Sequence, residues 1–276
     1  MAESSNSPQA EAARSPRARR EQLRTRYDAV RAQIDSARTS AGRQDEVRLV
    51  VVTKFHPFAD QVHLAQIGAR DLGENRVQEA QDKAKSWEHL ASAGAELAED
   101  GRNAAHSGMI EGEAYPQRPR LHMIGHIQSK KTGAVARWAD EVESVDSIKV
   151  AEGLSRGRVR EIESQDADPL RCLVQLSLDG DTSRGGVGAN DFFAVCEQVA
   201  ELPGLELGGM MVVPPLDGDS ERHFAEAARF VDDLRANFPQ ATEFSAGMSG
   251  DLDAAISAGS TCVRVGTAIL GPRPIL

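Results

Sequence analysis

Short apolar runs alternate with stretches of helical spacing along most of this chain. Residues 17–41 read as an amphipathic helix, because Leu23, Tyr27, Val30 and Ile34 recur three or four positions apart. After it come eight runs that read as strands. They are "RLVVVTK" from Arg48, "ARDLGEN" from Ala69, "RLHMIGHI" from Arg120, "EVESVD" from Glu141, "CLVQLSLD" from Cys172, "LELGGMMVV" from Leu205, "TEFSAGM" from Thr242 and "CVRVGTAI" from Cys262. A helix-like segment follows each of the first seven. The eighth is followed only by "LGPRPIL", so its covering helix is either missing or supplied by residues 17–41.

Repeated strand–helix alternation predicts an α/β fold, and its count favours a single-domain (β/α)8 TIM barrel. An open doubly wound sheet would carry GxGxxG after its first strand, and that fingerprint does not occur here. In a barrel the chemistry sits where strands end and βα loops begin. Lys54, Asn75, His126, Asp146, Ser249 and Gly266 all fall at such places. Residues 1–16, rich in Ala, Ser, Pro and Glu, read as a disordered tail preceding a barrel over 17–276. The Ala/Gly/Glu-rich stretch at 89–119 reads as a mobile insertion on the barrel face opposite the site.

Composition narrows the partners. A formal net charge of -10 over 276 residues argues against nucleic acid or an anionic membrane, while a small anion at a helix terminus stays compatible with it. Cys172, Cys196 and Cys262 are far apart and form no CxxC pair, which suggests reduced thiols in a cytoplasm. The first twenty residues lack the apolar core of a signal peptide, and no apolar run is long enough for a membrane span.

Candidate chemistry begins at Lys54, a lysine closing an apolar strand. Side-chain alternation puts Val50, Val52 and Lys54 on one face of strand one, and Cys262, Arg264 and Gly266 on one face of strand eight. On closure these strands are neighbours, so a lysine and an arginine would meet at the barrel mouth. Two such cations call for an anionic ligand, or for a carbonyl that the lysine attacks. Partial burial and a nearby guanidinium both favour the neutral, nucleophilic amine. The plainer alternative is a lysine snorkelling to solvent. "SAGMSGD" and "RVGTAILG" are glycine-bearing turns whose N–H groups, with the hydroxyls of Ser249 and Thr267, suit a phosphate. For Ser249 alone, helix capping is the simpler reading. His122 and His126 share a strand face without a carboxylate or cysteine partner, so no metal site is expected. The loop Gly180–Gly188 could cover a ligand or be an ordinary connection, and Glu79 reads as a solvated helix residue.

The stretches "VVTKFHP", "GENRVQEA", "LHMIGHIQSKK", "SVDS", "LVQLSLDGD", "MMVVPP" and "SAGMSGDLDAAISAGSTCVRVGTAILG" together resemble the pyridoxal 5'-phosphate homeostasis protein family, also called YggS or PROSC. The resemblance implies the barrel of the alanine racemase N-terminal domain, with pyridoxal 5'-phosphate held as an internal aldimine. By that resemblance Lys54 is the Schiff-base lysine and Arg264 faces the pyridine nitrogen. Ser249, Gly266 and Thr267 hold the phosphate, and Asn75 and Met211 lie close to the ring. The implied role is intracellular buffering of the cofactor and its transient delivery to apoenzymes by a monomer without robust catalysis. A guanidinium at the ring nitrogen cannot keep that nitrogen protonated, which leaves a weaker electron sink. Two enzymatic alternatives stand beside this reading. A racemase of the same fold needs a second base, supplied in that family by a tyrosine from another domain, and the only tyrosines here are Tyr27 and Tyr115. A Schiff-base aldolase needs an acid–base carboxylate, and none is evident near Lys54.

Overall fold

The computed structural model describes residues 15–93, 114–165, 167–182, 185–215 and 219–273. The eight expected strands are present as β1 (Arg48–Val52), β2 (Asp71–Glu74), β3 (Arg120–Met123), β4 (Glu141–Val145), β5 (Leu170–Ser177), β6 (Leu205–Val212), β7 (Glu243–Ser245) and β8 (Cys262–Val265). All pairings are parallel, β1 joins β8, and a β4–β5 pairing closes the barrel. The two-residue strand Val187–Gly188 adds to the end of β5, so this part of the Gly180–Gly188 loop folds back on the sheet.

Helices cover the outside in order: α1 (Pro16–Ser40), α2 (Phe58–Gln66), α3 (Val77–Ala93), α4 (Thr132–Trp138), α5 (Ile148–Gln165), α6 (Phe192–Glu201), α7 (Ser220–Asn237), α8 (Leu252–Ser257) and α9 (Thr267–Leu270). Helix α1 starts one residue before the expected boundary. Ser15 accepts a bond from the Ala18 N–H as its N-cap, and Pro16 fills the first helical position, where its missing N–H costs nothing. The rest of the expected tail, residues 1–14, lies outside the described residues. Helix α1 buries Leu23, Val30, Ile34 and Ala37 and packs against α2, α8 and α9. Arg19 fastens it, donating to the Asp60 carboxylate (2.8 and 2.6 Å) and to the Leu270 carbonyl (3.1 Å). The N-terminal helix thus fills the place of the eighth covering helix. Helix α3 runs through His89 to Ala93 and so takes in the first residues of the stretch read as an insertion, of which residues 94–113 lie outside the described residues.

Strand alternation divides the interior in two. Leu49, Val51, Leu72, Leu121, Met123, Val142, Val174, Phe244, Val263 and Val265 face the helices and join one continuous apolar cluster. The opposite faces fill the lumen with Val50, Leu173, Met211 and Cys262, all buried, together with charged side chains. Among the described residues no helix is long and apolar enough to cross a membrane.

Candidate functional site

The sequence-predicted residues fall on a contiguous arc of the barrel mouth. Asn75 follows β2, Lys54 follows β1, Gly266 and Thr267 follow β8, Ser249 follows β7, and Met211 lies near the end of β6. These strands pair in that order around the ring. Gly266 lies so close to β1 that a Cβ on it would stand 3.2 Å from the Val52 carbonyl oxygen. Asn75 packs over Gly125, where an added Cβ would meet the Asn75 carbonyl oxygen at 2.2 Å. Lys54 is partly buried and makes no hydrogen bond or ion pair among the described residues. Helices α8 and α9 begin on this arc with N–H groups that have no intrahelical partner.

Beneath the mouth lies an ionic lumen. The Arg48 guanidinium donates twice to Glu141 (3.0 and 2.7 Å), and Arg120 donates to the same carboxylate (2.7 Å). Arg171 pairs with Glu206 (2.6 Å), and Glu243 stands 3.2 Å from Arg48. Higher up, His122 is clasped between two carboxylates, with Nε2 on Asp71 (2.9 Å) and Nδ1 on Glu143 (3.0 Å). Both ring nitrogens therefore donate, which is the imidazolium form. Burial alone would lower the His122 pKa, but the Glu141 charge and the bonds to Asp71 and Glu143 outweigh it and raise it to about 9. Glu143 is also fully buried, yet the His122 bond and the Arg264 charge hold its pKa down at about 2. Ser245 donates to Glu143 (2.6 Å) and accepts from Arg264, whose other amino group donates to the Val212 carbonyl (2.8 Å).

This lumen corrects three expectations. Arg264 has a protein counter-charge in Glu143, 3.6 Å away, so its burial does not itself call for an anionic ligand. His122 does not lack carboxylate partners and does not share a setting with His126, whose side chain is 62% exposed and bonds Asp146 at the rim (2.9 Å). His122, Glu141 and Glu143 are close enough to suggest a metal. Four arginines and an imidazolium already balance the five carboxylates of the lumen, however, so no cation is needed there. Carboxylates do lie near the mouth, in Glu74 and Glu143, but both are tied into ion pairs.

Two further corrections concern Ser249 and Glu79. Helix α8 is preceded at its N-cap by Asp251, which accepts from the Met248 N–H (2.6 Å), so Ser249 is not the cap. A cavity of about 440 Å³ also borders Ser249, but Asp219, Glu221, Asp251 and Asp253 line it, and that wall repels a phosphate. Glu79, read as solvated, instead accepts from the Phe55 N–H (2.6 Å) and from Lys83 (2.8 Å). Lys83 is buried and also donates to Glu74 (2.7 Å) and to the Thr53 carbonyl (2.9 Å). Burial raises the Glu74 pKa, an effect only partly offset by the Lys83 charge. Sequence spacing shows Glu79 and Lys83 only as an ordinary i, i+4 helix pair.

Comparison with known proteins decides the family. The profile of the alanine racemase N-terminal domain matches residues 26–274. A Mycobacterium tuberculosis protein named pyridoxal phosphate homeostasis protein is 44% identical over 250 residues, which cover 89% of this chain and 90% of the relative. The chain belongs to the pyridoxal phosphate homeostasis protein family. The Escherichia coli member is more distant, 32% identical over 248 residues that cover 88% of this chain and 94% of the relative. The PipY structure of Synechococcus elongatus, solved with pyridoxal phosphate bound, superposes with a TM-score of 0.68 at 28% identity, covering 90% of this chain and all of PipY. Alanine racemase from Corynebacterium glutamicum, at 16% identity and a TM-score of 0.56, shares the fold; the match covers 93% of this chain and 62% of the racemase.

Proposed function

We propose that this protein binds pyridoxal 5'-phosphate through Lys54, buffers it inside the cell and hands it to apoenzymes. The observation that carries the reading is the Lys54 amine. Each lumen cation above is held by a carboxylate, whereas Lys54 is left unpaired among the described residues at the end of β1. A lysine adds to an aldehyde through its nitrogen lone pair, and an amine engaged by no carboxylate is free to swing onto such a carbonyl. The donor set around it fits the rest of the molecule: the N–H groups opening α8 and α9 and the hydroxyls of Ser249 and Thr267 suit a phosphate, with Gly266 letting the backbone approach closely. Asn75 and Met211 flank the same arc. When bound, the cofactor supplies an aldehyde that an amine holds reversibly and a ring that absorbs visible light. Arg264, locked to Ser245 and Glu143, would offer the ring nitrogen only N–H donors and no group able to keep it protonated.

Carriage is favoured over racemisation by the placement of the tyrosines. Tyr27 lies on α1 near Arg70 and Asp71, at the start of β2, and Tyr115 precedes the start of β3. Both positions are at the end of the barrel opposite the mouth. A cytoplasmic monomer that meets its apoenzymes transiently completes the proposal. The test is borohydride reduction of the cofactor-treated protein followed by peptide mass mapping. The label is expected on Lys54 and absent from a folded Lys54→Ala variant. Label on Lys130 or Lys131 instead would refute the assignment. Robust amino-acid racemisation by the loaded protein, with no transfer to an apoenzyme beyond what free cofactor gives, would refute the carrier role.

A further inference from the structure

We infer that Glu79 and Lys83 are positioning residues for Lys54: their ion pair grips the two peptide groups on either side of the Lys54 Cα and so fixes the direction in which that side chain leaves the barrel. The inference rests on the reading of Lys54 given above and adds to it two residues on a different element.

The geometry is specific. The carbonyl of the Thr53–Lys54 peptide accepts from Lys83 Nζ at 2.9 Å, and the N–H of the Lys54–Phe55 peptide donates to Glu79 Oε1 at 2.6 Å. The two grips are joined, since Lys83 Nζ donates to that same Glu79 oxygen at 2.8 Å. Only φ and ψ of Lys54 lie between the two held planes, so fixing both planes fixes both torsions. The third Lys83 proton goes to Glu74 Oε1 (2.7 Å), which also accepts from the Thr53 hydroxyl (2.6 Å) and from Gln61 (2.8 Å), and Gln61 in turn accepts from Trp87 (3.0 Å). The clamp is thus tied to the side chains of α2 and α3.

A second observation shows that the turn is held rather than relaxed. Phe55 has φ of 67°, and it is the only non-glycine residue with positive φ among the described residues. A large side chain in that region persists where surrounding contacts over-determine it. The contacts here are the Glu79 bond to the Phe55 N–H and the guanidiniums of Arg273 and Arg76, 3.2 and 4.7 Å from the ring centroid. Without the clamp the turn could relax toward ordinary dihedrals, and that relaxation would swing Lys54.

The test uses the full chain with Glu79→Gln, Glu79→Ala and Lys83→Met. Covalent loading with pyridoxal 5'-phosphate is followed by the visible band, its pH titration and mass mapping after borohydride, beside thermal unfolding. Glu79→Ala is expected to load about tenfold more slowly, with a shifted titration midpoint, because a displaced nucleophile loses attack geometry. Glu79→Gln keeps an oxygen for Phe55 and should recover part of the loss. Lys83→Met leaves Glu74 buried without its cation and can fail to fold; the two Glu79 variants then carry the test. Label on Lys54 in the wild type, with loading rate and titration unchanged in Glu79→Ala, would overturn the clamp alone. Label on a different lysine in the wild type would overturn the Lys54 reading and the clamp together.

Discussion

Replacing His122 by glutamine should remove a pH-dependent part of the stability whose size follows from the lumen. The ring is fully buried between Asp71 and Glu143, and its pKa is about 9 against an ordinary 6.5. A raised pKa means that the folded state keeps a proton which the unfolded chain releases. The contribution is therefore complete below about pH 6.5 and lost as pH rises through about 9. At 1.36 kcal/mol per unit, that gap corresponds to about 3 kcal/mol. Removing the imidazolium also leaves Asp71 and Glu143 facing each other with one cation fewer, so the total loss near neutrality should reach roughly 3–5 kcal/mol. Urea unfolding followed by circular dichroism, on wild type and His122→Gln across this pH range, measures both effects. The wild type should lose stability on the alkaline side, and the variant should show the smaller slope. Lysines, tyrosines and cysteines titrate in both proteins, so the difference between the two curves is the diagnostic quantity. Parallel curves would refute the imidazolium assignment, even if the variant were less stable overall.

Two other substitutions probe the same architecture. Arg264→Glu would set a second carboxylate against Glu143 inside the barrel, so loss of folded protein, seen as absent cooperative thermal unfolding, is expected in place of any altered cofactor chemistry. Gly209→Ala should cost about 3 kcal/mol or more in denaturant unfolding, because φ is 150° and the added Cβ would stand 2.0 Å from the Glu243 carbonyl oxygen.

The barrel was legible in the sequence because its strands are bounded by turn residues and followed by helical spacing. The mouth residues were legible for the same reason: knowing where a strand ends is enough to place Lys54, Asn75 and Gly266. The lumen was not. Asp71, His122 and Glu143 lie on three successive strands separated by long stretches of chain, and each looks in sequence like a polar alternate on a half-exposed strand. Only closure of the ring turns those faces inward and sets them within hydrogen-bond distance. Glu79 was misread for a related reason. Helical periodicity tells which face a residue shares, but not that a turn two elements earlier presents an N–H to it.

Helix α1 also bears on how the protein is made. It packs against α8 and α9, and its Arg19 bond to the Leu270 carbonyl spans 251 positions, so this helix docks on residues that are synthesised long after it. The ring cannot shut until β8 has been made. Through that interval Leu23, Val30 and Ile34 have no lasting cover, and the half-built sheet keeps an open edge. Such long-range closure slows folding and exposes the nascent chain to aggregation. Synthesis of β8 and α9, more than any local propensity, sets when this barrel becomes a protected native structure.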